Sequence, residues 1–264
     1  MAIRTTPKRR CRGETIMTTY DLSGRKALVT GSSRGIGSAI ACELARDGAD
    51  IVLHYAGDRD SADAMQAQIE SFGRVCTVVQ ADLTDPSSTQ GMIDDCGGVD
   101  ILVLNASVQY RSPWEAITSD QFYAQINCNL LSSLLLIQQA VPYMRRNRWG
   151  RIVTIGSVQE AKPHPDMLVY AASKSAQTAM VKSLALQLAP DRITVNNVAP
   201  GVIYTDRNVE ALSDPVYAQA VIDTIPMKFY GDKEDCAGIV RLLCSEQGKY
   251  MTGQSIYVDG GKGL

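Results

Sequence analysis

Short apolar runs alternate with longer amphipathic segments along most of this chain of 264 residues. Each run is rich in Val, Ile and Leu and is apolar on both faces, which is typical of a strand buried inside a parallel sheet. The alternation begins at Lys26 and ends near Val258. It predicts seven strands, at residues 26–30, 50–55, 75–80, 100–104, 151–155, 193–198 and 255–258.

The amphipathic segments carry apolar residues at helical spacing and predict helices. The longest of them follows Thr118, which has the spacing of a capping box with Gln121. Strands that alternate with helices indicate an α/β fold, here a Rossmann-type, doubly wound parallel sheet of about seven strands with helices on both faces. The helices are predicted at about 36–46, 61–71, 87–95, 119–146 and 167–188, with two more helical stretches before the last strand.

The domain organisation follows from the continuity of this pattern. It contains no repeat, low-complexity tract or Pro/Gly-rich linker, so we predict a single domain over residues 21–264. Residues 1–20 are interpreted as a disordered or non-native extension ahead of a start at Met17. The alternative is a short nucleic-acid or targeting arm built on the basic residues of segment 8–12.

Composition and charge narrow the class of partner. With 45% hydrophobic residues and a net charge of −2, the chain can bury a core but has no electrostatic reason to bind nucleic acid or an anionic membrane. No apolar run approaches the length of about 18 residues that a transmembrane helix needs. Seven cysteines without a C-x-x-C pair, and only two histidines, predict reduced thiols, a cytoplasmic protein and no metal site.

A glycine-rich turn joins the first predicted strand to the first predicted helix. Gly31, Gly35 and Gly37 follow the spacing G-x-x-x-G-x-G, which permits a tight turn and close approach of the backbone to a phosphate. The helix that begins there directs its N–H groups and its positive dipole end at the same point. We therefore predict a pyrophosphate-binding loop of a dinucleotide site. Its other expected cofactor contacts are Ser33, Arg34 and Ile36.

The same turn also matches a competing motif. Residues 31–35 read G-x-S-x-G, the nucleophile elbow of α/β-hydrolases, which would make Ser33 a nucleophile. That hypothesis requires a histidine base, and the candidates are His54 and His164. His54 lies inside a predicted strand, which is a poor position for a triad base, whereas chain order alone does not exclude His164. We disfavour the hydrolase interpretation because nothing else in the sequence supports the context that the motif requires.

The end of the second predicted strand indicates which dinucleotide binds. A carboxylate there usually binds the ribose 2′-hydroxyl of NAD, but this chain has Tyr55 followed by Ala56 and Gly57. Arg34 and Arg59 supply positive charge nearby, which suits a 2′-phosphate. We therefore predict that NADP(H) is preferred, with NAD(H) as the alternative if the two arginines are only solvated surface residues.

Two candidate reacting groups lie at the start of a predicted helix. Tyr170 and Lys174 are four residues apart, so they share one helix face. A nearby cation favours the phenolate and lowers the pKa of a tyrosine, which then exchanges a proton with a carbonyl or alcohol oxygen. Ser157 ends the preceding strand segment, at the sheet edge where α/β folds bind ligands, and its hydroxyl can hydrogen-bond a substrate oxygen. The simpler interpretation of Ser157 is a strand-end cap.

Together these motifs resemble the short-chain dehydrogenase/reductase family in its common single-domain form. The resemblance extends from roughly Asp21 to the C-terminus. The matching positions are the loop 30–37, Ala81, Asp82 and Leu83, Asn105 and Ala106, Asn129, Ser157, Tyr170, Lys174, Pro200, Gly201, Ile203 and Thr205, and the ending 252–261.

The resemblance implies a role for each of these residues. Tyr170 is then the general acid/base, Lys174 binds the nicotinamide ribose and lowers the pKa of Tyr170, and Ser157 orients the substrate carbonyl. Asn129 holds a water in a proton relay, with Asn127 as the rival for that role. Further cofactor contacts are expected from Tyr55, Asp82, Leu83, Asn105, Ala106, Pro200, Gly201, Ile203 and Thr205.

Three departures from the family pattern are visible. Ser107 stands where the family usually has glycine, which puts the approach of that loop to the cofactor in doubt. The segment 86–98 is shorter than usual, which trims a surface helix. Gly156 replaces a frequent serine, and we expect this change to be harmless.

The resemblance and the pattern together predict a reaction, a substrate pocket and an oligomeric state. We predict an oxidoreductase acting on a small or medium organic carbonyl or alcohol, with a pocket built by segments 108–114, 158–164 and 202–227. Its pocket candidates are Tyr110, Trp114, His164 and Tyr204. The family resemblance also implies a homotetramer that pairs the two longest helices between subunits. The alternative function is a non-catalytic dinucleotide-binding sensor or scaffold with the same fold.

Overall fold

The computed structural model describes residues 20–264, except for the side chains at positions 207, 210 and 211. The extension predicted over residues 1–20 therefore lies outside the described residues, apart from Tyr20. The strands are β1 (Lys26–Val29), β2 (Asp50–Tyr55), β3 (Cys76–Gln80), β4 (Ile101–Leu104), β5 (Gly150–Ile155), β6 (Ile193–Pro200) and β7 (Ser255–Val258). They form one sheet in the spatial order β3-β2-β1-β4-β5-β6-β7.

The predicted fold class is confirmed. Every pair of neighbouring strands in this sheet is parallel, and each strand lies within two residues of its predicted limits. The central registers place Leu28 beside Leu102, Leu102 beside Ile152, and Ile152 beside Val195. These four side chains are fully buried, as the continuous apolar runs require of strands covered on both faces.

Eight α-helices are found in the described residues. They are α1 (Gly35–Arg46), α2 (Arg59–Ser71), α3 (Ser119–Ile126), α4 (Ser132–Asn147), α5 (Leu168–Leu188), α6 (Asp206–Leu212), α7 (Pro215–Asp223) and α8 (Lys233–Cys244).

The hydrophobic core has two layers, one on each face of the sheet. Successive residues of a strand point to opposite faces. Val29 accordingly packs in one buried cluster with Leu44 of α1 and Val240 of α8. Leu28 packs in the other cluster with Leu136 of α4 and Val181 of α5. The core therefore holds the carboxyl ends of the strands between two helical layers.

The helix predicted over residues 119–146 is interrupted. Thr118 and Gln121 form the predicted capping box at its start. Between α3 and α4, however, residues Asn127–Leu131 form a single π-helical turn. A π turn inserts one residue into the helical repeat, so it rotates the side chains on either side relative to each other. Periodicity in the sequence cannot reveal this insertion, because both halves keep helical spacing.

The helix predicted over residues 87–95 is wrong. Pro86–Thr89 form a short 3-10 turn, and further turns follow. Gly91, Gly97 and Gly98 have φ angles of 79°, 72° and 88°, in the left-handed region that ends a right-handed helix. A Cβ on Gly98 would also overlap the ring of Tyr143 in α4. This connection is therefore compact irregular chain rather than a trimmed helix.

The connection from β6 to β7 also differs from the prediction. Three helices, α6 to α8, occupy it instead of the two predicted helical stretches. Pro215 is the first residue of α7, and Asp214 caps that helix by accepting hydrogen bonds from the N–H groups of residues 216 and 217. A proline is favoured at a helix start and cannot continue the preceding helix.

Within the described part of the chain, the cysteines are packing residues, and the helices do not have the character of membrane spans. The six cysteines in the described region are thiols rather than disulfides, and five are buried. Burial raises the pKa of Cys236 and of Cys244 to about 12, which disfavours the reactive thiolate and marks both as packing residues. Within residues 20–264, none of the helices combines the length and apolar character that crossing a membrane requires.

Candidate active site

Most of the predicted site residues lie at or just after the ends of six neighbouring strands. All strands are parallel, so these ends meet at one edge of the sheet. The glycine loop follows β1, Asp82 follows β3, Asn105 follows β4, and Ser157 follows β5. Tyr55 and Pro200 are the last residues of β2 and β6. The topology therefore gathers residues from positions 31 to 205 along one cleft edge.

The glycine loop has the backbone geometry that its sequence predicts. Gly31 and Gly35 have φ angles of 64° and 60°, which glycine adopts without strain. A Cβ on Gly37 would overlap the carbonyl oxygen of Gly31 and lie 2.5 Å from Nδ2 of Asn105. The start of α1 has no side-chain cap, so its first N–H groups are not covered by a capping oxygen. This combination suits a bound phosphate.

Asn105 braces the glycine loop from β4. Its Nδ2 donates to the carbonyl oxygens of Thr30 at 2.9 Å and Gly31 at 3.1 Å. The backbone N–H groups of Asn105 and Ala106 both donate to Oγ1 of Thr30, at 2.9 Å and 3.0 Å. Because the Asn105 amide donates its hydrogen bonds to the glycine loop, Asn105 stabilises the conformation of the loop that is predicted to bind phosphate.

His54 is a second brace, and sequence reasoning missed it. The backbone N–H of Gly31 donates to its Nδ1 at 2.9 Å, so Nε2 carries the hydrogen and faces the carbonyl oxygen of Ala81 at 3.0 Å. Burial lowers the pKa of His54 from 6.5 to about 4, so the ring is neutral near pH 7. Both nitrogens are engaged, which leaves His54 unable to act as the base for Ser33 in the hydrolase interpretation.

The expected adenosine end of the site lies around the end of β2. The hydroxyl of Tyr55 donates to Oε1 of Gln80 at 3.2 Å. Arg59 forms an ion pair with Asp63 at 2.7 Å, so one of the two predicted arginines is already engaged within α2. Arg34 is exposed, and the pKa of Asp58 is lowered by hydrogen bonds from Ser61 and, less strongly, by the Arg34 guanidinium. Arg34 is therefore the better candidate to meet a 2′-phosphate.

The loop after β3 forms a tight turn beside this region. Oδ1 of Asp82 accepts hydrogen bonds from the backbone N–H of Thr84 at 2.9 Å and from its hydroxyl at 2.8 Å. Asp82 itself is exposed, whereas the neighbouring Leu83 is buried. His54 contacts both Ala81 and Gly31, so it connects this loop, with the two predicted adenosine contacts, to the glycine loop.

Tyr170 and Lys174 lie together on the buried face of α5. Their exposed fractions are 6% and 1%. The ammonium nitrogen of Lys174 is 5.7 Å from the ring centre of Tyr170 and donates to the carbonyl oxygen of Ile155 at 2.7 Å. Ile155 is the last residue of β5, two positions before Ser157. The lysine therefore connects α5 to the end of β5.

Ser157 caps a short turn at the carboxyl end of β5. Its Oγ accepts a hydrogen bond from the backbone N–H of Gln159 at 3.2 Å, and it begins the 3-10 turn Val158–Glu160. The capping interpretation is thus present in the structure alongside the position at the carboxyl end of β5. A hydroxyl that accepts from an N–H still has its own hydrogen to donate, so capping and substrate binding are compatible.

The structure separates the two asparagines proposed for the relay. Asn129 is fully buried in the π turn. Its Oδ1 accepts from the N–H of Val108 at 2.8 Å, while its Nδ2 donates to the Val108 carbonyl and to Oγ of Ser173, each at 3.0 Å. Asn127 instead donates to the carbonyl oxygen of Thr84. Asn129 thus ties the loop after β4 to α5, whereas Asn127 holds the loop after β3.

Glu160 is another residue that sequence reasoning missed. Its Oε1 accepts hydrogen bonds from the backbone N–H of Ser157 at 3.1 Å and from Nδ2 of Asn197 at 2.9 Å, and its Oε2 accepts from Oγ1 of Thr178. A Cβ on Gly156 would overlap this carboxylate and lie 2.7 Å from both polar atoms of the Asn197 side chain. Gly156 therefore leaves room for Glu160 and Asn197, and a side chain at this position would have to displace one of them.

The expected nicotinamide end is formed where β6 leaves the sheet. The N–H of Gly201 donates to the carbonyl oxygen of Val258 at 2.9 Å, and a Cβ there would lie 2.6 Å from Cα of Asp259. Ile203 is buried and pairs with Gly231. The side chain of Thr205 lies 3.8 Å from the Cβ position of Gly35. This segment consequently returns to the glycine loop and closes the cleft on that side.

Comparison with known proteins identifies the class. A family model described as Enoyl-(Acyl carrier protein) reductase matches residues 31–262. The chain is 37% identical over 241 residues to the 3-oxoacyl-(acyl-carrier-protein) reductase FabG of Staphylococcus aureus, covering 90% of this chain and 97% of the relative. It is 35% identical over 249 residues to the 3beta-hydroxysteroid dehydrogenase 1 of Eggerthella lenta, covering 92% and 95%.

A solved structure agrees with these relatives. The 3-oxoacyl (acyl-carrier-protein) reductase of Agrobacterium tumefaciens, crystallised with NADP bound, superposes with a TM-score of 0.88 at 37% identity. The match covers 92% of this chain and 96% of the other. The chain therefore belongs to the short-chain dehydrogenase/reductase family, and its relatives are oxidoreductases.

The lowered pKa of His54 predicts a pH dependence of stability. Between pH 6.5 and about 4 the unfolded chain binds a proton at this position that the folded chain does not. Stability is therefore complete above this window and falls as the pH falls through it, by about 3 kcal/mol from this group. Denaturant unfolding at fixed protein concentration should show this loss in the wild type and not in His54→Asn.

His164→Asn is the control, because its imidazole is partly exposed at the surface. It should keep the wild-type dependence on pH. Curves for His54→Asn that stay parallel to the wild type across the window would show that His54 is not held neutral.

The crowding at Gly156 predicts a second effect on stability. Gly156→Ala should lower the free energy of unfolding by about 1–3 kcal/mol, because the new methyl group displaces Glu160 or Asn197. Gly238→Ala is the matched control: Gly238 lies inside α8 with nothing within 4 Å of its Cβ position, so alanine should be neutral or stabilising by up to about 1 kcal/mol. Equal effects of the two substitutions in denaturant unfolding would contradict this assignment.

Proposed function

We propose that this protein transfers a hydride between NADP(H) and a small or medium organic carbonyl or alcohol. The observation that carries the proposal is the placement of Lys174 between Tyr170 and the end of β5. A buried ammonium beside a phenol is the arrangement expected of a tyrosine general acid/base. Ser157, at the end of the same strand segment, supplies the hydroxyl that such a reaction uses at the substrate oxygen.

The residues present fit a dinucleotide. A Cβ on Gly31 would crowd Ala106 and Asn105, and a Cβ on Gly37 would overlap the carbonyl oxygen of Gly31. Glycine at both positions therefore lets the loop keep the close-packed shape in which backbone N–H groups can approach a pyrophosphate. Tyr55, Asp82 and Leu83 are assigned to the adenosine end. Asn105 and Ala106 are assigned to the middle of the cleft. The nicotinamide end is assigned to Tyr170, Lys174, Pro200, Gly201, Ile203 and Thr205.

The proposed chemistry divides between cofactor and protein. NADP(H) supplies or accepts the hydride when bound. In the reducing direction, Tyr170 donates its phenolic proton to the carbonyl oxygen, and the positive charge of Lys174 stabilises the phenolate that remains. Ser157 donates a hydrogen bond to the same oxygen and supports the charge that develops on it. Oxidation of an alcohol runs through the same groups in reverse.

Two observations support NADP(H) over NAD(H). No carboxylate stands at the end of β2, where it would repel a 2′-phosphate, and the nearby Arg34 is exposed. The related reductase structure from Agrobacterium tumefaciens holds NADP. Asp58 does not oppose this assignment, because its carboxylate is engaged as the cap of α2 through the backbone and hydroxyl of Ser61.

The substrate class rests on what the relatives' names share. A 3-oxoacyl reductase and a hydroxysteroid dehydrogenase act on a ketone or a secondary alcohol within very different molecules. The proposed pocket entrance here is lined by exposed aromatic side chains, Tyr110, Trp114 and Tyr204. Arg111 also donates to the hydroxyl of Tyr217 at 3.3 Å, which links the loop after β4 to α7. A ketone on a partly apolar molecule fits this surface best.

Replacement of the acid/base tests the enzyme against the alternative of a non-catalytic sensor. Tyr170→Phe should lower kcat/KM for NADPH-dependent ketone reduction by about 10²–10⁴-fold, because the hydroxyl is lost and the ring is kept. NADPH binding, followed by fluorescence, should persist. Tyr250→Phe, at a fully exposed position, is the control and should keep full activity. Equal activity of the two variants would contradict the role of Tyr170.

We also propose that the protein is a homotetramer. Large apolar side chains on α3 and α5 are exposed in the single chain, and they are Phe122, Tyr123, Leu168 and Leu186. An apolar surface of this kind usually marks an interface between proteins. Light scattering should give a mass four times that of the 28.6 kDa chain, and Leu186→Glu should reduce it. A wild-type mass equal to one chain would contradict the proposal.

A further inference from the structure

A buried glutamine on α5 contacts the ammonium of Lys174. Gln177 is 1% exposed and lies three residues after Lys174 in the helix. Its Oε1 accepts a hydrogen bond from Nζ of Lys174 at 3.1 Å. Its Nε2 donates to Oγ of Ser133 in α4 at 2.9 Å. Gln177 therefore joins the lysine to a second helix through one planar amide group.

The hydrogen-bond chain fixes which end of this amide faces Lys174. Ser133 lies four residues after Asn129, and its Oγ donates to the Asn129 carbonyl oxygen at 3.1 Å, which can only accept. The single hydroxyl hydrogen of Ser133 is thus used, so Ser133 must accept from Nε2 of Gln177. The amide oxygen consequently faces Lys174, whose ammonium can only donate. A flipped amide would leave two mismatched contacts.

A neutral acceptor has a particular effect on a buried ammonium. Lys174 is 1% exposed, so hydrogen bonds from the protein must replace those it would make with water. Ile155 and Gln177 both accept from it without carrying a negative charge. A carboxylate in place of the amide would hold the ammonium equally well but would cancel its field at Tyr170.

We propose that Gln177 is a positioning residue that holds the charged Lys174 beside Tyr170 without neutralising it, in an orientation that Ser133 fixes. This inference rests on the proposed function, since its consequence is the acid/base behaviour of Tyr170. Through Ser133, Gln177 also connects Tyr170 and Lys174 to the π turn. The ammonium, the amide, the Ser133 hydroxyl and the Asn129 carbonyl form one continuous chain of donors and acceptors.

The other ionisable side chains near this hydrogen-bond chain are the same in every variant of the test. Glu160, on the turn after β5, accepts from Thr178, the residue that follows Gln177, and Thr178 also donates to the Lys174 carbonyl oxygen at 3.3 Å. Cys128, in the π turn, is buried. Neither residue is altered in the variants below, so a change in the titration of Tyr170 reports on the amide.

The test uses two substitutions of Gln177 and a matched pair of serines. Gln177→Leu removes the acceptor at similar volume, and Gln177→Glu replaces the neutral acceptor with a carboxylate. Ser133→Ala removes the group that orients the amide. Ser132→Ala is the control, because its hydroxyl makes the same kind of bond, to the Cys128 carbonyl oxygen at 2.6 Å, but has no bond to Gln177. All variants are purified as the full chain.

The first readout needs neither cofactor nor substrate. The ultraviolet difference spectrum between each protein and the same protein carrying Tyr170→Phe isolates the ionisation of Tyr170 as the pH is raised. Gln177→Glu should raise its midpoint by about one pH unit or more, since it adds a negative charge beside the ammonium. Gln177→Leu and Ser133→Ala should raise it less, and Ser132→Ala should leave it unchanged.

The second readout is the pH profile of alcohol oxidation with NADP⁺, whose rising limb should move with the spectroscopic midpoint. At neutral pH, kcat for Gln177→Leu should fall about tenfold while KM changes little, as expected when a bond to a charged group is lost. Folded Gln177 variants with the wild-type midpoint would overturn the proposal, as would a shift in Ser132→Ala equal to that in Ser133→Ala. A wild type without turnover would instead refute the proposed function, and the spectroscopic titration would still decide the role of Gln177.

Discussion

The buried ammonium of Lys174 is the constraint on which the rest of the site depends. A charge at 1% exposure must be surrounded by acceptors, and these come from different parts of the chain. Ile155 supplies one from the end of β5, and Gln177 supplies another from α5. Through Ser133 the same network reaches the π turn. The strand that leads to Ser157 and the helix that carries Tyr170 are thereby fixed to each other.

A second set of contacts, made by neutral side chains, fixes the conformation of the glycine loop. Asn105 and His54 use side-chain nitrogens to hold the loop, one from β4 and one from β2. Both bond the backbone of Gly31 or its neighbour, so the conformation that glycine makes possible is also enforced from both sides. Because the imidazole must be neutral to accept from Gly31, this half of the site depends on pH, whereas Asn105 does not titrate.

Almost all of the fold could be predicted from the sequence, because each buried parallel strand appears as a short apolar run. The limits of β2 and β7 agree with the prediction, and the capping box at Thr118 formed as its spacing required. Local patterns failed where backbone geometry is set by single residues. The glycines of segment 91–98 replaced a predicted helix with turns, and the π turn at residues 127–131 leaves no trace in periodicity.

Motif spacing located the groups proposed to react but not those that hold them. His54, Glu160 and Gln177 lie beside predicted site residues, yet each acts through partners that are distant in the chain. Gly156 was the available signal for Glu160, because a glycine where the family often has serine leaves room for another side chain, but we expected that change to be harmless. It is explained only by the position of Glu160 in three dimensions.

A fluorescence titration of the purified protein with NADPH and with NADH tests whether this cleft binds a phosphorylated dinucleotide for hydride transfer. It requires no knowledge of the substrate. We expect tight binding of NADPH and much weaker binding of NADH, with the difference reduced in Arg34→Ala. Binding of neither nucleotide would contradict this expectation, and a preference for NADH would overturn the assignment of Arg34 to the 2′-phosphate.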